Sequence, residues 1–151
     1  MNGSIYPGRK SNFIVFKLQR RIYRASQQGN VKLVHRLQRL LIKSWYGRLL
    51  AVRRVSQDNQ GKRTAGIDGI KNLTSLQRLQ LAQTLSQLPQ AQPLRRIWIP
   101  KPGKSEKRPL SIPVMADRAA QALVKLALEP EWEALFEPNV YGFRPGVRFV
   151  G

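Results

Sequence analysis

Apolar residues recur at helical spacing along the first third of the chain, and basic residues fill the gaps between them. After a flexible leader over residues 1–11, the pattern predicts a helix from Asn12 that ends at Gly29. A second helix is predicted over residues 31–55, with Asn30 as its N-cap. The two predicted apolar stripes are Phe13, Phe16, Leu18, Ile22 and Tyr23, then Val34, Leu37, Leu40, Leu41, Trp45, Leu49 and Val52.

The middle of the chain is predicted to be a polar loop followed by a leucine-rich helix. Residues 56–69 contain three glycines, which are free to adopt positive φ, so a loop is expected there. Thr74 is the predicted cap of a helix that continues to about Leu88, where Pro89 ends it.

In the last third of the chain the apolar period changes from helical to alternating. Ile97 and Ile99 alternate with Arg96, Trp98 and Pro100, which predicts a strand. Residues 108–112 are predicted to pair with it as the second strand of a basic β-hairpin. A helix follows over about residues 116–129, and Pro130 is expected to start a further short helix. The predicted fold class is therefore α+β and mostly helical.

Charge points to a polyanionic partner. The 151 residues hold 27 Lys and Arg against eight Asp and Glu, a formal net charge of +19. Residues 1–57 contain thirteen basic residues and no acid, whereas solvated helices usually mix charge signs to gain i,i+4 pairs. A basic surface gains affinity for nucleic acid by releasing its counterions. The predicted RNA-binding residues are Arg20, Arg21, Arg24, Arg36, Arg39, Lys43, Arg53, Arg54, Lys62 and Arg63.

The residues for most catalytic and metal chemistry are missing from the sequence. Cysteine is absent, His35 is the only histidine, and there is no phosphate-binding glycine loop of the P-loop type. Asp58 and Asp68 share one loop, but Asp beside Gly is far more often a turn residue than a catalytic one. No catalytic residue and no metal ligand is therefore assigned. A membrane partner is not expected, because no run of 18 apolar residues occurs.

Several short motifs stand in a specific order along the chain. They are TAGIDG at residues 64–69, IPKP at 99–102 with KRPLSIP at 107–113, and YGFRPG at 141–146. Two further pairs are RRV with DNQGK at 53–62, and DRAAQAL with LEPEWE at 117–133. Together, from about residue 13 to residue 146, they resemble the opening blocks of bacterial and organellar group II intron-encoded reverse transcriptases.

The resemblance implies an organisation and a set of binding residues. Residues 12–89 would form the N-terminal helical RNA-binding region, and residues 90–151 part of the fingers subdomain, truncated before the palm. Lys101 and Arg108 on the hairpin would bind the triphosphate of the incoming nucleotide. The loop with Thr64, Gly66, Asp68 and Gly69 would lie near the RNA template.

The resemblance also implies a function for the longer protein and a limit for this chain. Members bind intron or template RNA, assist splicing as maturases and synthesise DNA from RNA. Their metal-binding palm aspartates follow the YGFRPG block, where this chain reads VRFVG at residues 147–151. No cofactor is therefore expected in this chain, Mg²⁺ only in the full-length enzyme, and no polymerisation by the chain alone. Apolar surface should be exposed where the palm would pack.

Three other interpretations remain open. A stand-alone RNA-binding splicing factor or RNA chaperone would be monodisperse and unfold cooperatively. An enzyme part that works with a palm and thumb supplied in trans would support DNA synthesis only after mixing. A DNA-binding protein would compete for duplex DNA at matched salt. The expected compartment is the cytoplasm of a bacterium, or an organelle if the source is eukaryotic.

Overall fold

A computed structural model describes residues 8–136 of the chain. Its helices and strands, in chain order, are α1 (Gly8–Gln27), α2 (Val31–Lys43), α3 (Trp45–Arg53), α4 (Ser75–Thr84), β1 (Arg95–Pro100), β2 (Lys107–Ile112) and α5 (Met115–Leu135). A π-helical turn (Arg54–Asp58) and a 3-10 turn (Gln60–Arg63) follow α3. The predicted class, α+β and mostly helical, is confirmed.

Two apolar clusters hold the helices together, and α5 contributes to both. The first joins α1, α2 and the second half of α5, and includes Ile22, Leu41 and Leu126. The second joins α3, α4 and the start of α5 and includes Leu49, Leu85 and Met115. Because α5 runs through both clusters, its burial couples the N-terminal helices to the region that carries the hairpin.

Helix α1 begins at Gly8, four residues before the predicted start at Asn12. Residues 8–11 are therefore helical and do not belong to a loose leader. One contact that favours the earlier start is that of Lys10, whose ammonium lies 5.6 Å from the centre of the Tyr46 ring. That distance is within the range of a cation–π interaction.

The predicted helix over residues 31–55 is divided at Ser44. This residue is extended, with ψ of 132°, and its hydroxyl accepts a hydrogen bond from the Gly47 backbone N–H at 3.4 Å. Gly47 allows the sharp bend, since a Cβ there would stand 2.6 Å from the Leu41 carbonyl oxygen. Asn30 caps α2 as predicted, accepting from the Leu33 N–H at 3.2 Å.

Three residues assigned to the apolar stripes are exposed to solvent. Phe13 is 63% exposed, Phe16 39% and Leu40 51%. The buried side of α1 is instead formed by Val15 together with Ile22 and their neighbours, so the true stripe is rotated from the predicted one. Two aromatic rings and one leucine are thus presented on a surface that is otherwise basic.

The segment predicted as a loop over residues 56–69 is partly helical. The π-helical and 3-10 turns occupy residues 54–58 and 60–63, and the Asn59 side chain caps the second of them by accepting from the Gly61 N–H at 2.8 Å. Of the three glycines in this segment, Gly69 adopts positive φ, at 73°. Gly66 does not have positive φ, but it lies too close to the Val114 backbone to carry a Cβ.

Helix α4 confirms its predicted start and ends earlier than predicted. Thr74 and Gln77 form a reciprocal capping box, with the Gln77 N–H donating to the Thr74 hydroxyl at 3.2 Å. The helix ends at Thr84, whose hydroxyl donates to the Leu81 carbonyl at 2.7 Å. Leu88 lies beyond the end and is 52% exposed.

Pro130 lies inside α5 and does not start a new helix. Proline has no N–H, so the carbonyl of Leu126, four residues earlier, loses its helical partner. The Gln19 side chain of α1 replaces it, donating from Nε2 to the Leu126 oxygen at 2.9 Å. At the next residue, Gln38 of α2 donates to the Ala127 carbonyl at 3.2 Å. These bonds explain how a buried helix tolerates an internal proline.

We expect Gln19→Met to lower the free energy of unfolding by about 1–3 kcal/mol, because it leaves a buried carbonyl unpaired. In a Pro130→Ala background the new N–H can bond to the Leu126 oxygen, so the same change should cost about 1 kcal/mol less. Urea unfolding of the four proteins measures this coupling. An equal cost of Gln19→Met in both backgrounds would contradict the account.

Candidate nucleic-acid interface

The exposed face of α1 combines cations with aromatic rings. Arg21 and Arg24 are exposed, and Arg20 is half-buried. The Lys17 ammonium lies 5.5 Å from the centre of the Phe13 ring, and the Arg20 guanidinium 6.0 Å from that of Phe16. Each pair is spaced i,i+4, which places cation and ring on the same side of the helix. Such a surface suits nucleic acid, because bases can stack on the aromatic rings and phosphates are attracted to the cations.

A ladder of cations runs along the exposed face of α2. Lys32, Arg36, Arg39 and Lys43 are all exposed and repeat at the i, i+4, i+7, i+11 spacing of one helix face. The helices α1 and α2 pack together through a three-residue connection, and Phe13 near the start of α1 shares a surface groove with Lys43 at the end of α2. The two helices are therefore antiparallel, and their cations lie side by side. We call this surface the α1–α2 basic face.

Six of the ten predicted RNA-binding residues lie on α1 and α2, and two of the six, Arg21 and Lys43, line the same groove. The six are Arg20, Arg21, Arg24, Arg36, Arg39 and Lys43. The other four, Arg53, Arg54, Lys62 and Arg63, lie at and beyond the end of α3. Arg53 pairs with Asp58 at 3.7 Å and lines a groove with Arg54 and with Phe16 of α1, and Lys62 donates to the Gln57 carbonyl at 3.2 Å.

The predicted template loop lies directly against the start of α5. A Cβ at Gly66 would stand 2.7 Å from the backbone nitrogen and Cα of Val114, so only glycine fits there without moving the backbone. Thr64 is half-buried, whereas Asp68 and Gly69 are exposed. The Asp68 carboxylate accepts from the Ile70 N–H at 3.1 Å, which shapes the turn. The tip of the loop is therefore exposed to solvent, while the residues at its start are fixed against α5.

Arg118, at the start of α5, is the anchor. Its guanidinium donates to three backbone carbonyls: Gly61 at 2.8 Å, Thr64 at 2.7 Å and Pro113 at 3.0 Å. Burial lowers the pKa of Arg118 from its ordinary value, and the Asp68 carboxylate opposes that shift. Arginine is strongly basic, so the side chain keeps its charge through the physiological range.

Arg95 and Asp117 fix the hairpin and the segment before it to the same anchor region. Arg95 at the start of β1 donates to the Ala65 carbonyl at 3.1 Å. The buried carboxylate of Asp117 accepts from the Gln92 backbone N–H at 2.8 Å. Asp117 lies in the first turn of α5, and its side chain joins that turn to the segment that leads into β1. Template loop, hairpin and α5 thus form one connected unit.

The hairpin carries the two predicted triphosphate-binding residues on one face. The strands are antiparallel, with Ile99 opposite Arg108. Lys101 is two residues beyond Ile99, so it shares the face of Arg108. The Lys101 ammonium pairs with Glu106 at 3.2 Å, in a solvent-exposed setting where such a pair is weak. Arg108 is exposed.

Within residues 8–136, no three His, Asp or Glu side chains come close enough to hold a metal ion. No helix in the same range is both long and apolar enough to cross a membrane. The YGFRPG motif at residues 141–146 lies outside the described residues.

An apolar groove of 630 Å³ runs along α5 on its exposed side. It is lined by α5 residues such as Val124, Leu128 and Trp132, and by Leu88 from the segment after α4. Trp132 is 52% exposed and Leu128 40%. The resemblance predicts exposed apolar surface where the palm would pack, and this groove is a candidate for that surface.

Sequence reasoning missed Arg118 and the exposed rings of α1. The motif containing Arg118 was recognised, but its bonds to carbonyls more than fifty residues away leave no local pattern. The i,i+4 pairing of Phe13 with Lys17 was a usable signal, because an aromatic followed by a cation at this spacing suggests a shared exposed face. Lys17 and Lys32 are exposed cations of the basic face that were not among the predicted RNA-binding residues.

Comparison with known proteins places these features in a family. A family model described as the N-terminal domain of reverse transcriptase matches residues 7–85. Maturase-like protein 1 of Euglena gracilis is 36% identical over 149 residues, covering 91% of this chain and 31% of that protein. Protein YkfC of Escherichia coli (strain K12) is 34% identical over 139 residues, covering 87% and 35%. Group II intron-encoded protein LtrA of Lactococcus lactis subsp. cremoris is 43% identical over 54 residues, covering 36% and 9%.

The family match contains α1 to α3, the template loop and α4. It therefore includes the basic face and the loop that Arg118 anchors, but not Arg118 itself. The Euglena gracilis and Escherichia coli relatives each match about nine tenths of this chain, so their matches extend past residue 85, and the chain spans about a third of their length, 31% and 35%. The chain therefore belongs to the group II intron reverse transcriptase/maturase family and corresponds to the N-terminal region of its members.

Proposed function

We propose that this chain binds RNA through the α1–α2 basic face, as the RNA-gripping part of a group II intron reverse transcriptase or maturase. The observation that carries the proposal is the concentration of exposed cations on two adjacent helices with no acid among residues 1–57. A surface of this kind gains affinity from each phosphate it neutralises. The name of one relative, a group II intron-encoded protein, supports intron RNA as the partner.

The anchored template loop supports a second contact with RNA. Its base is fixed by Arg118 and by the close approach of Gly66 to Val114, while Asp68 and Gly69 at its tip are exposed. A loop that is fixed at its base loses less conformational entropy when it binds. We therefore assign the tip of this loop to the template strand.

The hairpin is proposed to hold the triphosphate of the incoming nucleotide through Lys101 and Arg108. The two side chains share a face, and they combine a flexible point charge with a planar fork that can bind phosphate through two hydrogen bonds. The Lys101 partner Glu106 is exposed, so a triphosphate can displace it at small cost.

In a full-length enzyme that contains this region, we expect Lys101→Ala and Arg108→Ala each to raise the apparent KM for nucleotide about tenfold or more. The reason is that each removes a charge-assisted hydrogen bond worth about 1.5–3 kcal/mol. Steady-state primer extension against nucleotide concentration measures this. Lys104→Ala at the hairpin turn is the matched control. An unchanged KM in both variants would refute the assignment.

Polymerisation is proposed to require more protein than this chain. The chain spans about a third of its relatives, 31% and 35%, and the apolar groove on α5 offers a surface for a further protein portion. Trp132 and Leu128 make that surface costly to leave in water. The remaining portion, with its palm and thumb, is the proposed occupant, in cis or in trans.

The proposal is tested by equilibrium competition between a group II intron RNA and duplex DNA of equal length at matched salt. We expect the RNA to bind more tightly, with an affinity that falls steeply as salt rises. Preferential binding of duplex DNA would contradict the RNA assignment and favour a DNA-binding protein. Binding of neither would remove the proposed function altogether.

A further inference from the structure

A groove of 460 Å³ on the α1–α2 basic face is lined by apolar side chains and by a rim of cations. Its apolar lining comes from Ile14 and Leu18, which are largely covered, and from Phe13 and Leu40, which are 63% and 51% exposed. The rim is formed by Lys17, Arg21 and Lys43, all of which are exposed. The volume falls within the range of small-molecule binding clefts.

We propose that this groove binds one unpaired nucleotide of the RNA, with its base stacked on the Phe13 ring and its flanking phosphates held by the three rim cations. This inference rests on the proposed RNA-binding function and deepens it. It makes the basic face selective for single-stranded or bulged segments. A surface that contacted phosphates alone would not distinguish a single-stranded or bulged segment from a duplex.

The composition of the groove favours a nucleotide. An exposed phenylalanine on a helix is costly unless its ring meets an apolar partner, and a base offers a flat face of suitable chemistry. The rim requires a partner that is anionic at intervals, and no acidic side chain occurs among residues 1–57 to neutralise it. Lys17 lies 5.5 Å from the centre of the Phe13 ring, so a stacked base and a bound phosphate would be adjacent.

Duplex RNA cannot use this groove in the same way. In a duplex the bases are paired and stacked on one another, so the ring has no free face to contact. The phosphates, by contrast, are available in both forms. Loss of the ring should therefore weaken single-stranded binding alone, while loss of a rim cation should weaken both.

The test compares Phe13→Ala with the unaltered 151-residue chain on a single-stranded RNA and on a duplex with the same number of phosphates. Fluorescence anisotropy should show about tenfold weaker binding of the single strand and less than a twofold change for the duplex. Phe13→Tyr keeps the ring and should bind within twofold of the unaltered chain. Val31→Ala, at another exposed apolar position on α2, is the matched control.

The outcomes separate this inference from the proposed function. Equal weakening of both RNA forms, or no change in either, would overturn the nucleotide groove while leaving RNA binding intact. Failure of the unaltered chain to bind RNA would overturn both. If Phe13→Ala abolished binding to phosphatidylserine vesicles and left RNA binding unchanged, the groove would be a lipid contact and the inference would also fail.

A second measurement does not depend on a variant. Photo-crosslinking of a single-stranded RNA containing 4-thiouridine should place adducts on the peptides that carry Phe13 or Leu40, as read by mass spectrometry. Adducts confined to other exposed aromatic positions, such as Trp98 of the hairpin, would overturn the proposal.

Discussion

Arg118→Met is expected to lower the free energy of unfolding by about 3 kcal/mol or more. Three backbone carbonyls, those of Gly61, Thr64 and Pro113, lose their donors together, and a charged hydrogen bond contributes about 1.5–3 kcal/mol. The bonds share one guanidinium, so their contributions are not additive. Urea unfolding measures the total effect, and Arg118→Lys, which keeps the charge without the planar fork, should be intermediate.

The same substitution should loosen the template loop selectively. Within the loop region the Gly69 N–H donates to the Gly66 carbonyl, and the Asn72 N–H donates to the Lys62 carbonyl. Hydrogen exchange at these two amides should accelerate more than at amides in the middle of α1. Arg96→Met, on the exposed side of β1, is the control and should change stability by less than about 0.5 kcal/mol. A similarly small effect of Arg118→Met would show that it is not an anchor.

Replacing Arg36, Arg39 and Lys43 together by Gln is expected to weaken RNA binding roughly 100-fold near physiological salt. The estimate assumes that each side chain neutralises one phosphate and releases the corresponding counterion. The slope of log affinity against log salt should become shallower by about 2 on single-stranded RNA, since each contact contributes about 0.7. Fluorescence anisotropy at several salt concentrations provides both quantities.

A control of equal charge distinguishes a local effect from a general one. Replacing Lys71, Lys104 and Lys125 by Gln removes the same charge from exposed positions outside the basic face. This variant should lose at most about one contact, if the hairpin tip touches RNA. Identical losses in the two triple variants would mean that net charge, rather than the α1–α2 basic face, determines binding.

Local patterns in the sequence predicted most of the fold. Thr74 caps α4 and Asn30 caps α2, and the hairpin pairs residues 95–100 with 107–112, because these signals depend on neighbouring residues only. The two largest errors came from distant partners. Pro130 continues α5 because Gln19 of another helix binds the carbonyl that the proline leaves open. The division at Ser44 depends on the close approach of Gly47 to Leu41.

The candidate site was predictable where it depends on charge and not where it depends on tertiary contact. The cations of α1 and α2 are spaced along each helix, so their shared exposure followed from the helical period. The exposure of Phe13 on α1 and of Leu40 on α2 follows from how these two helices pack on each other and on α5, and that packing is not encoded in any one helix alone. Arg118 binds carbonyls far along the chain, which no local pattern reveals.

Chemical-shift mapping of the ¹⁵N-labelled chain against a single-stranded RNA is the most direct test of the central claim, that the α1–α2 basic face holds the RNA. The account predicts that the largest shift changes fall on exposed positions of α1 and α2, including Lys17, Arg21, Arg36 and Lys43, with smaller changes in the template loop. If the largest changes instead fell on α4 and α5 while α1 and α2 were unaffected, the account would be contradicted.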